Sequence, residues 1–264
     1  MVKLKLDDVT EFKRLISTVT PIMKENKIIF NDTGIALYGN DVSAVSGFVL
    51  KILKFVFTNY ELDKDTEIIM NVEELCQILK VAKPTEKVEI YTNKENSRIH
   101  IDIYSKNLKS FVLPLLEDYN EGRVTDEAVD KIQPKYTFNV SLPYYSECVG
   151  LLRTVMKSED TITIFNKDGK LSLLKGDKIG KKAKVVLGDT KVKEEIVAKF
   201  NSKFLDIISN MSSVSKEVKI GIDNDYPMKA TIAIKNKFIL KYFVAPIVDN
   251  SEVATPKKPK IEVG

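Results

Sequence analysis

A repeat that can be followed residue by residue restricts the fold more than any other feature of the chain. The turn Asn31-Asp32-Thr33-Gly34 returns as Asn166-Lys167-Asp168-Gly169, and the apolar triplet Leu75, Ile78, Leu79 returns as Phe204, Ile207, Ile208. Val88 and Ile90 return as Val218 and Ile220, and Leu113-Pro114-Leu115 returns as Ala245-Pro246-Ile247. The offset stays between 129 and 135 residues along the whole length. Self-similarity at so long a period means two copies of one domain, not a short-period array. Half of 264 residues is also an ordinary domain size.

Within each copy the apolar spacing alternates between periods. Val9, Phe12, Ile16 and Val19 recur at helical spacing over 8–20, and Pro21 closes that helix. A second helix covers 72–82, a third 144–156 with Tyr145, Cys148, Val149, Leu152 and Val155 on one face, and a fourth 201–211. The strands read over 3–6, 27–30, 35–38, 45–53, 66–70, 88–91, 98–104 and 108–113 in the first copy. In the second they read over 136–140, 161–165, 170–174, 183–187, 218–222 and the apolar hairpin inside Asp225–Asp249. The fold class that follows is α+β: two similar domains, each with two helices packed on antiparallel sheets. The expected boundaries are 1–117 for the first domain, 118–135 for a polar linker without sustained period, 136–250 for the second domain, and 251–264 for a disordered tail.

Catalytic chemistry finds little material here. His100 is the one histidine and alternates with Ile99 and Ile101 in a strand; no nucleophile or metal ligand stands near it. Cys76 and Cys148 fall on helical apolar faces, where a small buried hydrophobe is expected, in a reducing compartment. No nucleotide-cradling glycine motif occurs among the 11 glycines. The expectation is a non-enzymatic protein with no catalytic residue, no metal and no cofactor. The amino terminus carries no long apolar run, so neither signal peptide nor membrane span is expected.

Net charge is only +4, from 41 basic and 37 acidic residues, so any anion-binding surface must come from segregation. On helical wheels the faces turned from the core carry Thr10, Arg14 and Ser17 with Lys13 at the flank. The next carries Glu73, Gln77 and Lys80 with Lys83 beyond, then Ser146, Gly150, Arg153 and Lys157, and more weakly Lys203, Asp206, Ser209 and Asn210. For one helix this is an ordinary solvated face. Its recurrence on three points to a surface that meets a phosphate backbone without reading bases.

In the order Cys76-Gln77-Ile78-Leu79-Lys80-Val81-Ala82, Leu113-Pro114-Leu115 with the linker after it, Asp225-Tyr226-Pro227-Met228 and Tyr242-Phe243-Val244-Ala245-Pro246-Ile247, the chain resembles the proliferating cell nuclear antigen family, the archaeal and eukaryotic DNA sliding clamps, from Met1 to about Asn250. That resemblance implies a DNA clamp fold assembled as a trimeric ring, helices lining the hole and sheets outside, around double-stranded DNA without sequence preference. It implies a DNA polymerase processivity factor, placed on DNA by a clamp loader, that also tethers flap endonuclease and DNA ligase through short hydrophobic-aromatic peptides. Carried over, the DNA-facing residues are Lys13, Arg14, Lys80, Arg153 and Lys203, with Lys83 and Lys157 added from the wheels. The partner groove is Val45, Val124, Pro227, Ala245, Pro246 and Ile247. The subunit interface pairs Lys109, Ser110, Phe111, Val112 and Leu113 with Ala183, Lys184, Val185, Val186 and Leu187. The implied location is the nucleus for a eukaryotic or viral chain and the nucleoid cytoplasm for an archaeal one.

Departures from the family pattern are Gln77 and Asn210 where relatives often carry lysine, Asn40 in place of a bulkier apolar groove residue, and a polar Glu121-Gly122-Arg123-Val124. The alternatives are a checkpoint clamp or one subunit of a heterotrimer, with a homotrimer as the first reading. More distant is an unrelated α+β enzyme using His100, Cys76 or Cys148.

Overall fold

A computed structural model describes residues 1–93, 95, 97–117, 124–157, 160–176 and 180–248. In chain order the first repeat runs β1 (Val2–Leu6), α1 (Thr10–Val19), β2 (Glu25–Asn31), β3 (Gly34–Asn40), β4 (Ser46–Leu53), β5 (Asn59–Leu62), β6 (Thr66–Asn71), α2 (Val72–Val81), β7 (Lys87–Thr92), β8 (Arg98–Tyr104) and β9 (Leu108–Pro114). A short helix α3 (Asp126–Lys131) follows. The second repeat runs β10 (Tyr136–Ser141), α4 (Leu142–Val155), β11 (Thr161–Lys167), β12 (Lys170–Gly176), β13 (Lys182–Asp189), β14 (Ile196–Asn201), α5 (Ser202–Asn210), β15 (Glu217–Ile222), β16 (Met228–Ile234) and β17 (Phe238–Val244).

Local chemistry sets these elements. Asn71 caps α2 by accepting from Glu74 N, and Asn201 caps α5 by accepting from Lys203 N. The β2–β3 turn closes on Gly34, whose φ of +144° lies outside the usual range of L-residues. A Cβ there would stand 2.1 Å from Ile52 O, so no other residue fits. Phe12 and Tyr145 take the same place on α1 and α4. The tyrosine adds a buried hydroxyl that donates to Leu205 O and ties α5 to α4, while Tyr242 on β17 donates to Phe204 O and ties α5 to the sheet.

Three antiparallel sheets result, in the orders β5-β1-β7-β8-β9, β10-β15-β16-β17-β4-β3-β2-β6 and β13-β12-β11-β14. The middle sheet joins the repeats: β17 pairs with β4, Tyr242 opposite Phe48 and Leu240 opposite Leu50. Beneath it α2, α1, α5 and α4 lie side by side in that order, and one hydrophobic core runs through both repeats.

The registers sharpen the repeat and correct two sequence matches. Asn31 faces Gly34 as Lys167 faces Lys170, so the match of the two turns is one residue out of step. The ladder Ile90–Ile101–Phe111 corresponds to Ile220–Ala230–Tyr242. Leu113 therefore corresponds to Val244 and Pro114 to Ala245, so the match of Leu113-Pro114-Leu115 with Ala245-Pro246-Ile247 is one residue out of step. Both copies still leave the sheet alike: Leu116 N donates to Ile69 O, and Ile247 N to Lys199 O.

Other expectations also shift. The linker holds α3, and Val155, expected on the core face of its helix, is 43% exposed. The strands β5 and β14 were not anticipated. Cys76 and Cys148 are buried free thiols, and His100 stacks on Tyr91 with centroids 5.0 Å apart. The tail 251–264 and linker residues 118–123 lie outside the described residues. No described helix is long and apolar enough to cross a membrane.

Candidate nucleic-acid interface and partner groove

The four long helices turn one face to the core and the other to solvent. On the solvent face Arg14, Lys80, Lys83, Arg153, Lys157 and Lys203 are all exposed. The side-by-side order α2-α1-α5-α4 thus spreads these cations over one continuous layer. Their freedom differs. Lys13 is half-buried and its Nζ donates to Ala82 O at 3.3 Å, which closes the carboxyl end of α2. Arg153 pairs with Asp206 at 2.8 Å. Burial pushes the Asp206 carboxyl up against the opposing pull of that guanidinium. Lys203 lies over the Phe204 ring, 4.5 Å from its centroid. Arg14, Lys80, Lys83 and Lys157 make no ion pair among the described residues.

The opposite face of the middle sheet carries α3. Lys51 and Lys241 point away from the core on β4 and β17. Asp126 meets Lys51 at 2.7 Å and accepts from Tyr38 Oη at 2.7 Å, and Asp130 meets Lys241 at 2.6 Å. Lys229 Nζ donates to Val129 O and Ile132 O, and Val129 is fully buried. Burial pushes Asp126 up, but the hydrogen bonds from Lys51 and Tyr38 outweigh it and leave the carboxyl below its ordinary value. Asp130 is lowered by its bond from Lys241 against a smaller burial penalty. Helix α3 is therefore strapped across the strand pair that joins the repeats. No sequence period shows this, because a six-residue helix draws its stability from tertiary contacts.

At one end of that strand pair five of the six expected groove residues gather. Ala245 N donates to Val45 O at 2.8 Å, Pro227 precedes Met228, which pairs with Val244, and Pro246 and Ile247 follow. Val45, Pro227, Ala245 and Pro246 are partly exposed and Ile247 is 37% exposed. Val124 stands just ahead of Thr125, the cap of α3, on the flank where Asp126 meets Tyr38 and Lys51.

The expected interface strands, β9 and β13, are each an outer strand of their sheet. Their neighbourhoods also hold exposed apolar side chains: Leu108 and Val112 on β9, Val186 on β13, Val81 on α2, and Leu151 and Val155 on α4. Sequence reading missed the helix members of this set. In the first repeat the positions matching Leu151 and Val155 are Thr18 and Ile22, which are 2% and 7% exposed.

Duplicated α+β halves, a cation-bearing helix layer and the outer strands β9 and β13 give this chain a clamp-type fold. Residues 1–113 match the model of the proliferating cell nuclear antigen N-terminal domain. The chain is 25% identical over 248 residues to DNA polymerase sliding clamp 1 of Pyrobaculum aerophilum, covering 92% of this chain and 96% of that protein. It is 20% identical over 267 residues to the proliferating cell nuclear antigen of Chaetomium thermophilum, covering 96% and 100%. The crystal structure of the PCNA2-PCNA3 complex from Sulfolobus tokodaii shares its fold, with a TM-score of 0.75 and 17% identity over 92% of this chain and 98% of that one. Over nearly its whole length the chain is therefore similar to sliding clamps of the proliferating cell nuclear antigen kind.

Proposed function

We propose that this chain is a DNA sliding clamp and polymerase processivity factor: copies join head to tail, three closing a ring, with the helix layer facing duplex DNA. The observation that carries this reading is the internal junction. There β17 pairs with β4 while α5 packs on α1. The equivalents of one half of that junction, β9 and α2, are free at one end of the molecule, and those of the other half, β13 and α4, are free at the opposite end. A chain whose ends repeat the two halves of its own middle adds head to tail, and closes when the rotation allows. Pairing these edges also removes the hazard of an open strand.

The internal register sets the external one. Tyr242 faces Phe48 within the chain, so Phe111 faces Ala183 of the next copy, Leu108 faces Val186, Ser110 faces Lys184 and Val112 faces Lys182. No like charges stand directly opposite in that register, which supports a second copy of this chain as the neighbour. Sedimentation should give three times the 29.9 kDa of one chain; a stable single-chain mass at micromolar concentration contradicts the reading.

The surface formed by Val45, Pro227, Ala245, Pro246 and Ile247 fits the short apolar-aromatic peptides by which a polymerase, clamp loader, flap endonuclease or ligase would be tethered, with Val124 at its linker side. Replacing Ile247 with aspartate puts a charge into the apolar contact and should weaken such a peptide by roughly 2 kcal/mol or more, about 30-fold. Calorimetry with a synthetic peptide reads this, and unchanged affinity removes the groove. Location follows the source: nuclear for a eukaryotic or viral clamp, in the nucleoid for an archaeal one.

A further inference from the structure

The duplication places the same cleft twice, and the two copies have opposite chemistry. In the second repeat it lies between the end of α4, the end of β12 and the start of α5, with Arg153, Lys157, Lys175 and Lys203 against Asp160 and Asp206. In the first repeat the corresponding cleft lies between the loop after α1, the β3–β4 turn and the start of α2, with a volume of about 780 Å³. Its floor is apolar: Ile22 and Ile69 are buried, Met23 is half-buried, and Val42 at the tip of the turn is fully exposed.

Around that floor stand four carboxylates and one lysine. Asp41 is committed to its own turn, accepting from Ser43 N and Ser46 N. Glu73 is paired with Lys24 at 2.9 Å. Glu25 and Glu117 are exposed and make no ion pair among the described residues. An open apolar floor rimmed by free carboxylates repels nucleic acid and fits an extended cationic segment with apolar side chains.

Assembly leaves the cleft open. The basic cleft remains accessible although the junction beside it is filled by α1 and β4 of the same chain. The acidic cleft stands in the equivalent relation to the next copy.

We infer that this acidic, apolar cleft is a second protein-docking site, taking a lysine- or arginine-rich apolar segment of a partner protein. It lies on the β3–β4 turn whose other end, Val45, accepts from Ala245 of the groove. One partner chain can therefore engage both. The inference does not require ring closure, so sedimentation mass and docking fail independently.

The test is fluorescence anisotropy of the full chain with a labelled peptide of alternating lysine and leucine, beside its glutamate–leucine counterpart. The lysine peptide should bind and the glutamate peptide should not. Glu25→Lys with Glu117→Lys should weaken binding by roughly tenfold or more, as should Val42→Asp, while Ile247→Asp should leave it unchanged. All four positions are exposed, so the folded chain and its mass serve as the control. Undiminished binding in the charge-reversed variant overturns the inference. Loss on charge reversal without loss in Val42→Asp also overturns it, since that is unspecific charge attraction. Loss in Ile247→Asp alone assigns the peptide to the groove and overturns it too.

Discussion

Oxidation of a variant carrying Leu108→Cys and Val186→Cys is expected to give denaturation-resistant species of two and three chains and none larger. The reason is the register that the molecule displays internally. Ile239 faces Lys51 across the β17–β4 pair, and Leu108 and Val186 occupy the matching places on the two free strands. Both are exposed, at 59% and 37%, so their replacement costs the single chain little. Directly opposed residues of an antiparallel pair have Cα atoms about 4.5–5.5 Å apart, within the span a disulfide bridges. The two natural thiols are buried and take no part. Moving one cysteine by one residue, in Leu108→Cys with Leu187→Cys, puts the sulfurs on opposite faces and should abolish most of the product. A ladder continuing past three chains would mean an open filament, and equal yields from both variants would contradict the register.

Loss of salt-dependent DNA affinity is the second large effect. Alanine at Lys80, Lys83, Lys157 and Lys203 removes four exposed cations from the helix layer. Each that meets a phosphate lowers the dependence of log affinity on log salt by about 0.9, so the slope for a short linear duplex should fall by up to about 3–4. Alanine at Lys13 and Arg153 should change it much less, because one is held by Ala82 O and the other by Asp206. The sedimentation mass should stay that of the wild type in both sets. A slope that does not move in the first set places DNA elsewhere on the molecule. A drop in mass would mean that these helices face a neighbouring chain instead.

The contrast between free and tethered cations lies beyond a helical wheel, which places Lys13 and Arg153 on the solvent face without showing what they touch. Other features were legible. The Asn31–Gly34 and Asn166–Gly169 turns marked two hairpins because glycine is required where the chain reverses. Phe12, Ile16 and Val19 marked α1 by their spacing, and all three are buried. The strand β14 carried a usable signal, the alternation of Ile196, Ala198 and Phe200, all buried. β5 is only four residues long and gives too few positions for a period to register. α3 exists because Asp126 and Asp130 find lysines on strands distant in sequence, and spacing cannot report such pairs. Val155 follows the helical period yet stays exposed, since the face it prolongs ends at the free flank of the helix layer. The same physical cause hid the largest architectural feature: two matching domains were legible, but not that β17 and β4 fuse them into one sheet. That fusion makes the chain's middle a template for its ends.

Retention on DNA after loading tests the central claim most directly. The protein is placed by an ATP-driven clamp loader on a nicked circular duplex, washed in salt high enough to dissolve ordinary phosphate contacts, and counted before and after the circle is cut once. A closed ring threaded by DNA should stay on the circle through the wash and leave once the cut supplies an end. Equal retention on the cut and uncut duplex, or complete loss from the circle in the wash, would contradict encirclement.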